Sequence, residues 1–416
     1  MNYILHLDGD AFFASCEIAR RPDLKNKPVV IGEERGIACA FSYEAKKLGI
    51  HRGMPIFKIR KEFPQVKILS SHFELYEEYR AHLVSILKNC LPIVETYSID
   101  ECFAVLPEIS IGELGIFVRS LKKRVQDSLG ITFSFGVALT KTLAKVASKK
   151  EKPDGCVFLL TDESVKNALR QTQVGAVWGI GTKTSAALLG ENIKTAEDFI
   201  NTPLETLKNR FHEPAIETWH ELKGIKIFDV SNKHDDQKSI QSTKSLGYAT
   251  NDENLLFSEL SRNVEVACEN LRAMEMTTNK VHMFYRLARG TKHRKWIEAS
   301  LPVSTDDPKA ILRELRPKVW LLWHKNTLYK ATGVTLSGLM RPKSVQNDIF
   351  GWQEGHNQEK TYLRALDAIN RKFGSWTIMH ASSLRSVIKR REELFAREKK
   401  DSYEYGLPLP YMGQVF

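Results

Sequence analysis

The stretch IVETYSIDECFAVL (93–106) reads as two short strands, Ile93–Tyr97 and Cys102–Leu106, folded back on each other around Ser98-Ile99-Asp100-Glu101. Far upstream, the apolar run Tyr3-Ile4-Leu5-His6-Leu7 ends at Asp8 in the manner of a buried strand. Laid side by side in one sheet, the two pieces would gather three acids: Asp8, Asp100 and Glu101. Close carboxylates repel one another unless a cation neutralises them. Hard divalent ions such as Mg²⁺ take oxygen ligands, commonly one or two carboxylates together with substrate phosphates. Two such ions ~3.5–4 Å apart activate an attacking hydroxyl and stabilise a leaving oxygen. Gly9, between Asp8 and Asp10, leaves the backbone open to close approach. A plainer reading fits the same spacing, with Asp8 capping the next helix and Asp100-Glu101 forming an exposed hairpin tip.

Outward from these strands, helix and strand patterns alternate. A helix is expected over Phe12–Ala19, short strands at Val29–Ile31 and Ile37–Ala40, and a helix over Tyr43–Leu48 stopped by Gly49. A polar connector follows Pro64 and leads into a long helix over Leu75–Cys90. A helix at Glu113–Leu129, a strand at Thr132–Ala138, a helix at Thr142–Ser148 and a turn at Lys152–Gly155 complete an α/β unit. Residues 165–225 show no convincing strand and read as a small helical domain. The polar stretch SNKHDDQKSIQS (231–242) reads as an exposed linker. A second α/β domain follows, with a helix at Leu255–Met274 and strands at Val281–Leu287, Trp296–Leu301 and Leu328–Leu336. The tail from Ser344 carries a polar turn, a helix near Lys360–Phe373 and a charged helix over Ser386–Lys400.

At 416 residues, 42% hydrophobic and 27% charged, the composition matches a folded protein of several domains and excludes a disordered tail, a collagen or a disulfide miniprotein. Six widely spaced cysteines with no CxxC pair argue against a zinc ribbon and fit reduced thiols. The first residues lack a basic segment followed by a long apolar run, and no stretch approaches the ~18 apolar residues of a membrane span. A cytoplasmic protein without a membrane partner is the expectation. The net charge is +11, and residues 280–343 hold 14 basic against four acidic side chains. Such a segment suits a phosphate backbone, which releases counterions on binding; a solvated basic face with no ligand is the alternative.

Six pieces then fall in order: DGDAFFASCE (8–17), RPDLKNKPVVI (21–31), SYEAKKLGI (42–50), YSIDE (97–101), SFGVALTKTLAKVASKKEKPDG (134–155) and VWGIG (177–181). Together they resemble a Y-family, lesion-bypass DNA polymerase of the DinB/UmuC type, across roughly residues 1–345. ASCE with RPDL, EAKKLGI and VWGIG lean toward UmuC, whereas the Tyr before EAK and the closing KPDG lean toward DinB.

The resemblance implies a right-hand α/β multidomain fold. Its palm would be 1–10 and 78–165, small fingers 11–77, a helical thumb with a helix-hairpin-helix 166–230, a linker 231–242, an α/β little finger 243–343 and a tail 344–416. It implies error-prone, template-directed translesion synthesis in bacterial DNA repair and the SOS response. A primer 3′-hydroxyl would attack a dNTP under two Mg²⁺ ions held by Asp8, Asp100, Glu101 and the Gly9 carbonyl. Asp10 matches no ligand position and is expected to be structural. Phe13, beside Phe12, matches the steric gate against a ribose 2′-hydroxyl, and backbone N–H groups at Ala11–Phe13 would cradle phosphate oxygens. Tyr43 and Lys46 match the pair that grips the triphosphate from the fingers, and Lys152 the lysine reaching it from the palm. Many relatives have Arg where Lys46 stands, so the grip loses a bidentate fork. Ala40 replaces a frequent hydroxyl residue. Gly179, Gly181 and Lys183 resemble a hairpin turn that meets a DNA phosphate. Gln346, Ile349 and Phe350 resemble a peptide that docks on the bacterial sliding clamp, and a UmuD-like accessory protein is among the implied partners of primer-template DNA synthesis. The alternatives are a catalytically inactive polymerase-like DNA-binding scaffold and a palm-type nucleotidyl cyclase.

Overall fold

The computed structural model describes residues 2–232, 237–288, 294–341 and 354–389. The residues up to 232 and those from 237 onward form two compact units.

In the first unit, β1 (Ile4–Gly9) is buried along its whole length. Leu5 and Leu7 point into one core and Ile4 into another, which is why the strand reads as a continuous apolar run rather than an alternating one. The strands β2 (Val29–Ile31), β3 (Ala40–Phe41) and β4 (Lys67–Leu69) make a small separate sheet in the order β3-β2-β4. The strands β5 (Ile93–Thr96), β6 (Glu101–Val105), β7 (Phe133–Ala138) and β8 (Cys156–Phe158) join β1 in a five-stranded sheet, β5-β6-β1-β7-β8. β1 lies antiparallel between β6 and β7, with Asp8 opposite Glu101 on one side and Ser134 on the other.

Helices Phe73–Cys90 and Ile111–Leu129 cover one face of this sheet through Leu83, Leu87, Val118 and Val125. Ser110 and Glu113 start the second of them with a capping box. Helix Lys141–Lys150 and the helices between Asp162 and Leu222 pack on the other face, around Phe103, Leu143, Phe199 and Leu222. Several short elements depart from the expectation. Ile37 makes only an isolated bridge to Pro55, so that strand shrinks to Ala40–Phe41. Helix Ile56–Glu62, β4 and β8 were not expected; the strands are three residues each, too short to display a period. Helix Phe73–Cys90 runs through the division expected between residues 77 and 78.

In the second unit, β9 (Ser239–Thr250), β10 (Thr277–Leu287), β11 (Arg294–Thr305) and β12 (Tyr329–Met340) form an antiparallel sheet, β11-β10-β12-β9. Val281, Met283, Tyr285 and Val334 pack under helices Glu253–Ala273 and Pro308–Leu322, against Leu260, Val264, Ile311 and Leu315. β9 begins inside the stretch expected to be linker. It is an edge strand burying little more than Ile240, Leu246 and Thr250, so its polar outward positions mimic a loop. Helix Pro308–Leu322 was not expected because Pro317 sits within it. The usable signal was Asp307-Pro308: the carboxylate accepts from the N–H groups of Lys309 and Ala310, and proline takes the first helical position.

Helix Glu354–Phe373 returns onto helix Glu253–Ala273. Arg272 clasps Asp367 through two hydrogen bonds of 2.6 and 2.7 Å, and Arg385 clasps Asp252 from the opposite direction. The expected helix Ser386–Lys400 is described only as far as residue 389, where helix spans 384–389. The clamp-type residues Gln346, Ile349 and Phe350 lie outside the described residues. All six cysteines are free thiols. Among the described residues, no helix is long and apolar enough to cross a membrane.

Candidate active site

The register of β1 and β6 sets Asp8 beside Glu101, and the Gly9 N–H donates to the carbonyl of Asp100 at 2.9 Å. Two distant pieces of sequence thus place their acids on neighbouring strand ends. Ser98 orients Asp100 by donating to its Oδ1 at 2.6 Å, while the Glu101 N–H donates back to Ser98 Oγ at 3.1 Å. Burial pushes the Asp8 carboxyl up to about 6, and the neighbouring Glu101 and Asp100 add to the rise; the Lys152 ammonium paired with Asp8 pulls against it. Glu101 is engaged by Lys145 of helix Lys141–Lys150, with Nζ 2.9 Å from Oε2. That ammonium lies 4.4 Å from the Tyr97 ring centre.

Asp8, Gly9 and Asp100 form one wall of a cavity of about 410 Å³. Phe12 and Phe13 line it from the start of helix Phe12–Arg20, and Tyr43, Lys46 and Lys152 line it from the short helix Tyr43–Lys47 and from the turn after Lys150. Eight residues singled out from sequence therefore share one cavity. Glu101 does not line it, being turned to Lys145. Gly9 has a steric reason to be glycine, since a Cβ there would meet Phe12 Cδ2 at 2.8 Å.

The Phe13 ring stacks on Tyr76 at 4.3 Å and 11°, and meets the edge of Phe73 at 5.7 Å. The Tyr76 hydroxyl donates to Glu17 at 2.9 Å. Ser42 caps the helix of Tyr43 and Lys46 by accepting from the Ala45 N–H. The Tyr43 hydroxyl is pushed up to about 12, by burial first and then by the Asp10 and Asp8 charges. Arg52, which the sequence reading missed, also lines the cavity and donates from Nε to the Cys39 carbonyl at 3.0 Å. A lone arginine in the fingers stretch carries no local signature, so only the fold reveals it.

Gly179, Gly181 and Lys183 are exposed and stand apart from this cavity, at the start of helix Thr182–Gly190. Gly179 holds φ +93°, and Gly181 is the cap of that helix. On the second unit's sheet, Lys280, His282 and Arg286 project opposite the buried Val281, Met283 and Tyr285, so part of the basic surplus lies on the open face.

The donors around Asp8 are all hard oxygens, the chemistry of a Mg²⁺-type site. Among the described residues, no group of three or more His, Cys, Asp or Glu side chains converges on a single point; lysine ammonium groups sit on Asp8 and Glu101 instead. The residues fit a divalent ion by donor type, and an ion would take over the charge balance those lysines supply.

A model of the impB/mucB/samB family matches residues 7–149, and the model of that family's C-terminal domain matches residues 237–349. Protein MucB of Salmonella typhimurium is 29% identical over 378 residues, covering 88% of this chain and 90% of its own. DNA polymerase IV of Methanoculleus marisnigri is 30% identical over 317 residues, covering 74% and 87%. Among solved structures, a Y-family DNA polymerase chimera of Dbh and Dpo4 superposes with a TM-score of 0.67 at 22% identity, over 82% of this chain and 99% of that one.

Proposed function

Because the chain belongs to the impB/mucB/samB family of Y-family DNA polymerases, we propose that it extends a primer by template-directed addition of deoxynucleotides, with the tolerance of damaged templates that defines translesion synthesis. One observation carries the reading at residue level: a single cavity is lined by Asp8 and Asp100 together with Tyr43, Lys46 and Lys152. Acids for the metal side and a hydroxyl with two ammonium groups for the triphosphate side face the same space.

In this reading, residues 1–10 and 78–165 are the palm, 11–77 the fingers, 166–230 the thumb and 243–343, with the strand that begins at Ser239, the little finger. Asp8, Asp100 and Glu101, with the Gly9 carbonyl, are the oxygens that would hold the divalent ions, two Mg²⁺ per site. Bound there, such ions lower the pKa of the primer hydroxyl and neutralise the triphosphate. Ser98 keeps Asp100 oriented. Tyr43, Lys46 and Lys152 fix the phosphates, assisted by backbone N–H groups at the start of helix Phe12–Arg20. Phe13, backed by Tyr76, excludes a 2′-hydroxyl. Gly179, Gly181 and Lys183 hold the duplex by its phosphates, and the basic sheet of the second unit adds sequence-independent grip. The sliding clamp, a UmuD-like protein and a cytoplasmic SOS setting complete the proposal.

Primer extension on undamaged and abasic templates, with Mg²⁺ and with or without a bacterial clamp, tests it. Asp100→Ala should lower extension by at least ~10³-fold while primer-template affinity stays within about twofold. Unchanged extension by that variant, or product formed without a template, would overturn the reading.

A further inference from the structure

Asp10 is the one acid of the DGD stretch that the metal assignment leaves unused, and it is 1% exposed. A carboxylate buried so deeply must be met by donors. Ser134 Oγ of β7 donates to Oδ1 at 2.7 Å, and the backbone N–H of Asp154 donates to Oδ2 at 2.8 Å. After burial, the Asp10 charge also helps to raise the Tyr43 hydroxyl, which lines the same cavity from the fingers stretch.

These partners are not scattered. Asp154 belongs to the turn Lys152-Pro153-Asp154-Gly155, whose first residue reaches Asp8 and lines the cavity. The far side of that turn is staked by Lys122 and Gln126, which both donate to the Asp154 carboxylate. Asp154 is therefore held at both ends, its N–H by Asp10 and its carboxylate by Lys122 and Gln126. On the opposite wall, Tyr43 begins a five-residue helix capped by Ser42. Asp10 thus holds the turn that carries Lys152, opposite a wall that includes Tyr43.

The geometry points to Asp10 as a positioning residue that fixes the turn carrying Lys152, so that Lys152 meets the triphosphate that Tyr43 approaches from the other wall. This rests on the polymerase reading of the cavity. Asp10 contacts no reacting atom in it; it acts through the turn that carries Lys152. A spacer of this kind governs nucleotide capture more than chemistry at saturation, because a small displacement of two phosphate contacts is felt first in ground-state binding.

The test is steady-state single-nucleotide incorporation by Asp10→Asn, which keeps size and one acceptor oxygen but cannot accept from both Ser134 and the Asp154 N–H as before. The dNTP KM should rise about tenfold or more, while kcat falls less than ~3-fold and primer-template Kd is unchanged. Lys152→Ala combined with Asp10→Asn should cost less than the product of the two single effects, since both act through the same turn. Ser134→Ala removes one anchor of Asp10 and touches neither Tyr43 nor Lys152; it should raise the dNTP KM in the same direction, roughly 2–5-fold. An unchanged KM in Ser134→Ala would overturn the proposal even if Asp10→Asn failed to fold. So would a loss of kcat and melting temperature in Asp10→Asn at constant KM, the mark of a purely structural acid. A wild-type protein that incorporates no dNTP on a primed template would instead sink the polymerase reading itself.

Discussion

Phe13 shows how a role visible in sequence depends on neighbours that are not. The ring is set by stacking on Tyr76, and Tyr76 is set by Glu17, which also accepts from or pairs with His72 at 2.6 Å. In the proposed gate role, replacing Phe13 by Ala removes the wall that would face the sugar. The variant should accept ribonucleotides roughly 10–100-fold better relative to deoxynucleotides, read from competing incorporation of the two. An unchanged preference would reject the gate assignment. The cavity residues were legible because each belongs to a compact local motif. Arg52 and the partners of Asp10 were not, since the bonds to Ser134 and Asp154 join residues 124 and 144 positions apart. Hydrogen bonds across such separations leave no periodic trace in the chain.

At the scale of elements, strand β7 and helix Lys141–Lys150 approach closely enough to require a glycine between them. A Cβ on Gly136 would meet the Ala144 carbonyl oxygen and the Ser148 N, each at 2.2 Å. Both atoms are backbone, so neither side can yield without moving the helix that carries Lys145. Gly136→Ala should cost ~3 kcal/mol in a denaturant titration, at the upper end of ordinary overpacking. A loss below about 0.5 kcal/mol would show that the helix shifts freely. Long buried or amphipathic elements such as β1 and helix Ile111–Leu129 were readable from their patterns. β9 was hidden because an edge strand exposes polar residues along most of its length, and β8 because three residues carry no period.

Across the whole chain, the second unit is closed by its own C-terminal residues. Burial raises the Glu265 carboxyl to about 7, although Ser383 Oγ and the His380 N–H both donate to it. Its folded value exceeds the 4.5 of a free glutamate, so protonation favours the folded form. The contribution is complete below pH 4.5 and disappears as pH climbs through about 7. Hydrogen exchange in residues 380–389 should therefore accelerate, beyond the intrinsic pH effect, between about pH 4.5 and 7. Glu265→Gln should flatten that rise; a rise that persists would place its origin elsewhere. The basic surplus of residues 280–343 was readable from composition, but the return of helix Glu354–Phe373 through the Arg272–Asp367 clasp was not readable from spacing.

Lysine ammonium groups already answer the acids of β1 and β6, so the shape of the apoprotein owes nothing to a mineral ion. EDTA should silence synthesis yet leave the melting curve within about 1 °C of its starting point, unlike a zinc finger, which unravels when stripped. Material purified in chelator would then be dormant rather than ruined, and adding back magnesium should restore it within the mixing time.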